Sequence, residues 1–120
     1  MIGVGVDIVN IARVERVFDH FGERFAQKIL APSELENASL NARFLAKRFA
    51  AKEAVAKALG TGFRCGITMP SIRIEKSPLN QPKVVLSGAA KSRLVSIGGQ
   101  EVLLSISDEI DSVVAFAVVR

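Results

Sequence analysis

Residues 38–60, ASLNARFLAKRFAAKEAVAKALG, carry apolar side chains on nearly every side of a single helical wheel. The wheel turns by roughly 100° per residue, which puts Glu53 in a stripe with Ala46, Phe49, Ala50, Ala56 and Lys57. Phe44, Ala51, Val55 and Leu59 face the other way. A helix that is apolar all round is covered all round, so the rest of the chain has to wrap this one. The spacing predicts a central helix starting near Asn41 and stopping at Gly60 as the C′ glycine. One carboxylate, Glu53, then sits in an apolar stripe with Lys57 as its only charge partner there. A surface i+4 bridge between the two is one account of that pattern. A cation held by Glu53 is another, since a buried carboxylate needs a partner.

The opening segment IGVGVDIV alternates, with Ile2, Val4, Val6 and Ile8 on one face and Gly3, Gly5, Asp7 and Val9 on the other. It is expected to be a strand with one bare face. Two glycines in a strand mark close approach by another backbone or by a ligand, and Asp7 lies at the end of that floor. Asn10 suits the cap of a helix whose apolar positions are Ile11, Val14, Val17, Phe18 and Phe21, with Arg13, Arg16 and His20 on its wet side. Gly22 breaks that helix, and a short segment through Phe25, Ile29 and Leu30 runs to Pro32. Ser33-Glu34-Leu35-Glu36 reads as a capping box, Ser33 capping and Glu36 reaching back.

Beyond Gly60 come the strand-like pieces ITMPSIRIE and PKVVLS around a turn at residues 77–82, a helix over about residues 89–97, and two last strands, EVLLSIS and SVVAFAVV, around Asp108-Glu109-Ile110-Asp111. The reading is one α+β domain over residues 1–120, with an N-terminal strand and helices packed on an antiparallel sheet.

Charge is informative through its placement. The net charge is +4, yet residues 43–76 hold eight basic side chains against two acidic ones, and the remainder is slightly acidic. That segment suits phosphates, a nucleotide or an acidic protein surface. Sequence-tolerant nucleic-acid binding also draws on stacking aromatics, and a chain with no Trp or Tyr argues against that class. Cys65 is the only cysteine, which excludes an intrachain disulfide and a cysteine-based metal site. No signal or transit peptide is read, and the late apolar run of residues 113–119 is too short to span a bilayer. A soluble cytoplasmic protein is expected, with the Asn37-Ala38-Ser39 triplet a chance glycosylation match.

Asp7 and Glu53 are the acids hardest to explain as solvent decoration. Two carboxylates completed by water and phosphate oxygens make a usual magnesium site. Gly60-Thr61-Gly62 reads either as a helix cap and turn or as a place for backbone to approach a phosphate. Neither a Walker lysine motif nor a full G-x-G-x-x-G is present. His20 reads as solvated or partner-facing, Cys65 lacks a base to activate it, and Asp108 ends a strand where a ligand could reach it.

Two segments carry a resemblance to a known family: GVGVDIVNIARVE, residues 3–15, and RFLAKRFAAKEAVAKALGTG, residues 43–62. Together with FAQKILAPSELE, SIRIEKSPLNQPKVVLSG and LLSISDE, they make the chain resemble, over nearly its whole length, the holo-[acyl-carrier-protein] synthases of the 4′-phosphopantetheinyl transferase superfamily. The resemblance implies magnesium-dependent transfer of phosphopantetheine from coenzyme A to a serine of apo acyl carrier protein, releasing 3′,5′-ADP, in fatty acid biosynthesis. It implies that Asp7 and Glu53 hold Mg²⁺ and that Lys57 meets the diphosphate. It further implies that Arg48, Gly60, Thr61, Gly62 and Asp108 lie toward coenzyme A, and that Arg13, Arg16, Arg24 and Lys28 meet the acidic carrier protein. The family is typically a homotrimer with active sites between subunits, which would let neighbours cover part of the glycine face and the late strands.

The general base stays open between Glu53, a metal-bound water and Glu36 acting through water; a water near Glu53 is the preferred reading. The chain departs from the family pattern at Asp108, where many members have His, and at Asn80-Gln81-Pro82 in place of Gly-Lys-Pro. The competing reading, from another class, is a non-catalytic trimeric module that holds an acidic protein on its basic segment.

Overall fold

The structure is a computed structural model that describes residues 2–36 and 38–120, so the glycosylation triplet, which begins at Asn37, falls partly outside the described residues. In chain order the elements are β1 (Gly3–Asn10), α1 (Ile11–Phe21), α2 (Glu23–Ile29), α3 (Pro32–Glu36), α4 (Ala42–Ala58), a 3₁₀ turn (Met69–Ser71), β2 (Ile72–Lys76), β3 (Pro82–Leu86), α5 (Gly88–Ser96), β4 (Val102–Asp108) and β5 (Ser112–Val119). The expected α+β class holds. What the sequence left open is the pairing: β1 joins the C-terminal hairpin in an antiparallel sheet of order β1-β5-β4, while β2 and β3 pair separately.

The central helix is α4, capped by the Asn41 side chain, which accepts from the Phe44 amide at 2.8 Å. Leu45, Ala46, Ala50, Ala51, Ala54 and Val55 are all fully covered. Its alanines lie on the inner face of the sheet, where Gly5 pairs with Ala117 and where Gly3 and Ala115 share the same face. Small residues on both surfaces allow the backbones to come close. A methyl on Gly5 would overlap the Ala54 carbonyl oxygen and lie 2.7 Å from the Ala58 nitrogen. The glycine floor therefore receives the protein's own helix. This corrects the expectation that neighbouring subunits cover it: the open face of β1 is the apolar one, with Ile2, Val4, Val6 and Ile8 exposed beside Val114 and Phe116 of β5.

Two other expectations shift. Ser33 lies inside α3, whose first residue is Pro32, and the acid that reaches back is Glu34, accepting from the Ala31 amide at 2.9 Å. Proline suits the first helical position because its missing N–H would have no helical partner, and this moves the helix start ahead of Ser33. Residues 67–71 are not strand. Pro70 fixes a 3₁₀ turn, and the Ser71 hydroxyl bonds Thr68 in a capping box.

Candidate functional site: a two-carboxylate cleft

Asp7 and Glu53 are 46 residues apart in sequence and open on the same cleft. The cleft has a volume of about 360 Å³ and is lined by β1 from Asp7 to Asn10, by Arg13, Val14 and Val17 of α1, and by Phe25, Phe49 and Glu53. Alternation along β1 turns Asp7 inward beside Gly5, and α4 lies on that same face, so the strand and the helix each deliver one acid. Burial first, and the nearby Asp7 carboxylate second, hold the Glu53 carboxyl above its ordinary value, with Lys57 opposing. The Lys57 ammonium does not bridge to Glu53 as a surface i+4 pair. It donates to Asp7 Oδ1 at 3.1 Å and to the Val6 carbonyl at 3.0 Å, tying α4 to β1.

This donor set fits a hard divalent cation. Both side chains offer carboxylate oxygens, both are partly shielded, and like charge has been brought together without full compensation. Among the described residues no group of three or more His, Cys, Asp or Glu side chains forms a metal cage. Two carboxylates would need water or phosphate oxygens to complete a shell, and magnesium accepts that arrangement readily.

The other predicted site residues divide into three groups. Arg13 lines the carboxylate cleft, and Val17 and Phe25 lead from it into an adjoining groove with Phe21, Arg24 and Lys28. Arg16 is exposed on α1 outside both. Arg48 and Asp108 line a second cleft, also of about 360 Å³, together with Arg43, Lys47, Lys76 and Asn80. There Arg43 bonds Asp108 at 2.7 Å and Lys47 lies 3.4 Å from its other oxygen. The hydrogen bond from Arg43, reinforced by Lys47, holds the Asp108 carboxyl below its ordinary value. Gly60 and Gly62 end α4 with positive φ, and their amides donate to Lys57 and Ala56 carbonyls while the Thr61 hydroxyl bonds Gly62. Room for a ligand lies at Gly62, where nothing comes within 4 Å of an added Cβ, whereas at Gly60 the Arg93 guanidinium would lie 3.2 Å from one.

A family model described as the 4'-phosphopantetheinyl transferase superfamily matches residues 3–116. The chain belongs to this superfamily. It is 49% identical over 119 residues to the holo-[acyl-carrier-protein] synthase of Halorhodospira halophila, covering 97% of this chain and 94% of that one. The crystal structure of the holo-[acyl-carrier-protein] synthase of Neisseria meningitidis superposes with a TM-score of 0.90 at 45% identity, over 100% of this chain and 99% of that one. The Helicobacter pylori holo-[acyl-carrier-protein] synthase in complex with coenzyme A superposes with a TM-score of 0.87 at 35% identity, over 98% and 99%.

Sequence reasoning missed a buried ion cluster on the far side of α4. Lys52 is fully covered, and its ammonium donates at 2.6 Å to both Glu34 Oε1 and the Ile29 carbonyl. Glu34 also accepts from the Ala31 and Ile74 amides, and its second oxygen lies 3.5 Å from Arg48 Nε. Burial pushes the Lys52 and Arg48 pKa values down, and Glu34 offsets part of that in each. The cluster joins α3, α4 and β2; Arg48 flanks it with Nε buried and not hydrogen-bonded, and its guanidinium lies over the Phe44 ring at 4.9 Å. The available signal was Lys52 itself, a cation beside Ala50 and Ala51 in a helix with apolar residues on nearly every side.

Proposed function

We propose that this chain transfers 4′-phosphopantetheine from coenzyme A to a serine of apo acyl carrier protein, in a magnesium-dependent reaction of fatty acid biosynthesis that releases 3′,5′-ADP. The observation that carries the reading is the convergence of Asp7 and Glu53 on one cleft beside Lys57. When bound there, Mg²⁺ supplies charge neutralisation on the diphosphate and on its departing half.

The protein's own part is to position and to hold charge. Asp7 and Glu53 are the residues that hold the metal. Lys57, on the next turn of α4, meets the diphosphate, while Arg48, Asp108 and the Gly60-Thr61-Gly62 loop lie toward coenzyme A. The serine hydroxyl oxygen forms a bond to the phosphorus that carries pantetheine, the bond from that phosphorus to the 3′,5′-ADP oxygen breaks, and the serine proton leaves to a water beside Glu53. An acidic carrier protein docks along the groove of Arg24 and Lys28 toward Arg13, with Arg16 on the rim and Val17, Phe21 and Phe25 as its apolar floor.

Mixing purified apo carrier protein, coenzyme A and Mg²⁺ should add the mass of phosphopantetheine to the carrier. Asp7→Ala and Glu53→Ala should fold and give no mass shift, as should the wild type in excess chelator. Undiminished conversion by either variant rejects the assignment. The protein acts in the cytoplasm as a homotrimer with active sites between subunits; what supports self-association is the exposed apolar face made by Ile2, Val4, Val6, Ile8, Val114 and Phe116, which another copy would cover. Sedimentation should give a trimer mass for the wild type and a lower one for Phe116→Asp, and a monomeric wild type rejects that assembly.

A further inference from the structure

In the free protein the cation on Asp7 is Lys57, and the two side chains are unequally covered. The lysine side chain is 49% exposed and the aspartate 16%. The α4 backbone fixes Lys57 Cβ beside the bare Gly5, so the part free to move is the chain beyond it, ending in the ammonium. That head can leave for water at little desolvation cost, whereas Asp7 cannot stay shielded and unpaired at equally little cost. Glu53 stands one helical turn before Lys57 and opens on the cleft that Asp7 lines.

Charge then decides who can sit together. Asp7, Glu53 and Lys57 sum to −1. A divalent ion on the two carboxylates would bring the group to +1, with an ammonium and a metal ion drawing on the same Asp7 carboxylate. Like charges at such a distance repel appreciably unless an anion arrives to separate them. A diphosphate supplies that anion, and Lys57 has the reach and the exposure to turn to it.

We infer that Lys57 is an exchangeable internal counterion, which opposes divalent-metal binding in the free protein and promotes it once a diphosphate-bearing ligand draws its ammonium off Asp7. This rests on the magnesium-site reading above. The consequence is reciprocal: metal and diphosphate ligand raise each other's affinity, and much of that coupling passes through one lysine.

The test is Mn²⁺ binding, followed by the electron-spin-resonance signal of the free ion and by calorimetry, for wild type, Lys57→Gln and Lys57→Ala. Each protein is titrated alone, with coenzyme A, and with pantetheine, which lacks phosphates. Without ligand, both variants should bind Mn²⁺ more tightly than wild type, by roughly five- to tenfold, the low end of typical site-to-site couplings. With coenzyme A the order should reverse, and pantetheine should leave it as in the free protein. Variants that bind Mn²⁺ no better than wild type without ligand overturn the inference while leaving the metal site standing, as does coupling of undiminished size in both variants. Absence of Mn²⁺ binding to wild type even with coenzyme A, or binding unaffected by Asp7→Asn, overturns the metal-site reading and the inference with it.

Discussion

Replacing Gly5 by alanine opposes two effects of opposite sign, and the structure says which wins. The φ of Gly5 lies outside the left-handed region, so alanine is conformationally allowed there. On backbone entropy alone the change should stabilise by about 0.4–1 kcal/mol. The new methyl, however, would overlap the Ala54 carbonyl oxygen and lie 2.7 Å from the Ala58 nitrogen and 2.9 Å from Lys57 Cβ. Two of these are backbone atoms of a helix whose sheet-facing alanines are fully buried, so relief requires α4 to back away from β1 by on the order of 1 Å. Overpacking of this kind costs about 1–3 kcal/mol, and the rigid backbone contacts place this case at the upper end, leaving a net loss of about 2 kcal/mol. Function should fall further than stability does. The displaced segment carries Glu53 and Lys57 while Asp7 stays on the strand, and a misplacement of ~1 Å can cost about a hundredfold in rate. Urea denaturation and the carrier-protein mass shift, scored per mole of folded protein, measure the two losses. Gly98→Ala is the control: nothing lies within 4 Å of its new methyl, but its φ of +79° is unfavourable for alanine. It should lose about 1–2 kcal/mol with conversion per folded molecule intact. A Gly5→Ala protein with wild-type stability and conversion would refute the view that the bare strand face sets the spacing of the two carboxylates.

The buried cluster and the raised carboxyl give two further expectations. Lys52→Met leaves Glu34 buried without its ammonium and should cost about 3–5 kcal/mol in urea denaturation. Removing the acid as well, in Lys52→Met/Glu34→Leu, should not restore stability, because the Ala31 and Ile74 amides then lose their acceptor; full recovery in the double variant would show that the amides are satisfied elsewhere. For Glu53, the folded pKa lies above the ordinary 4.5, so the folded protein binds more protons than the unfolded chain as pH rises from that value toward the raised one, and stability is lost across that window. In chelator, Glu53→Gln should therefore be more stable than wild type at neutral pH, and the gap should close as pH falls below the ordinary carboxylate value; a gap constant from acid to neutral pH would contradict the assignment.

Much of the fold and half of the site were legible from local pattern. The cap at Asn10, the helix start near Asn41, the break at Gly22 and the stop at Gly60 are written in residues that satisfy or interrupt backbone hydrogen bonds within a few positions, and each sits where the pattern put it. The alanine helix announced its own burial, and Asp7 and Glu53 stood out because each is an acid in a setting that ordinarily excludes one. The start of α3 was misplaced because Ala31, in the capping position, has no side-chain oxygen to advertise it. Glu34 and Lys52 escaped because a buried ion pair is defined by a partner 18 residues away, and periodicity carries no signal for that.

The sequence by itself determined that strand one has a bare face, that a helix without a wet side must be wrapped, and that the acids at 7 and 53 need compensation, since all three follow from local sterics and solvation. Only the tertiary structure decided that the bare face receives that helix, that Lys57 reaches Asp7 instead of Glu53, and that the apolar face of β1 is left open. Those outcomes depend on which distant segments pair, and pairing is settled by the packing of whole surfaces that no short window of sequence contains.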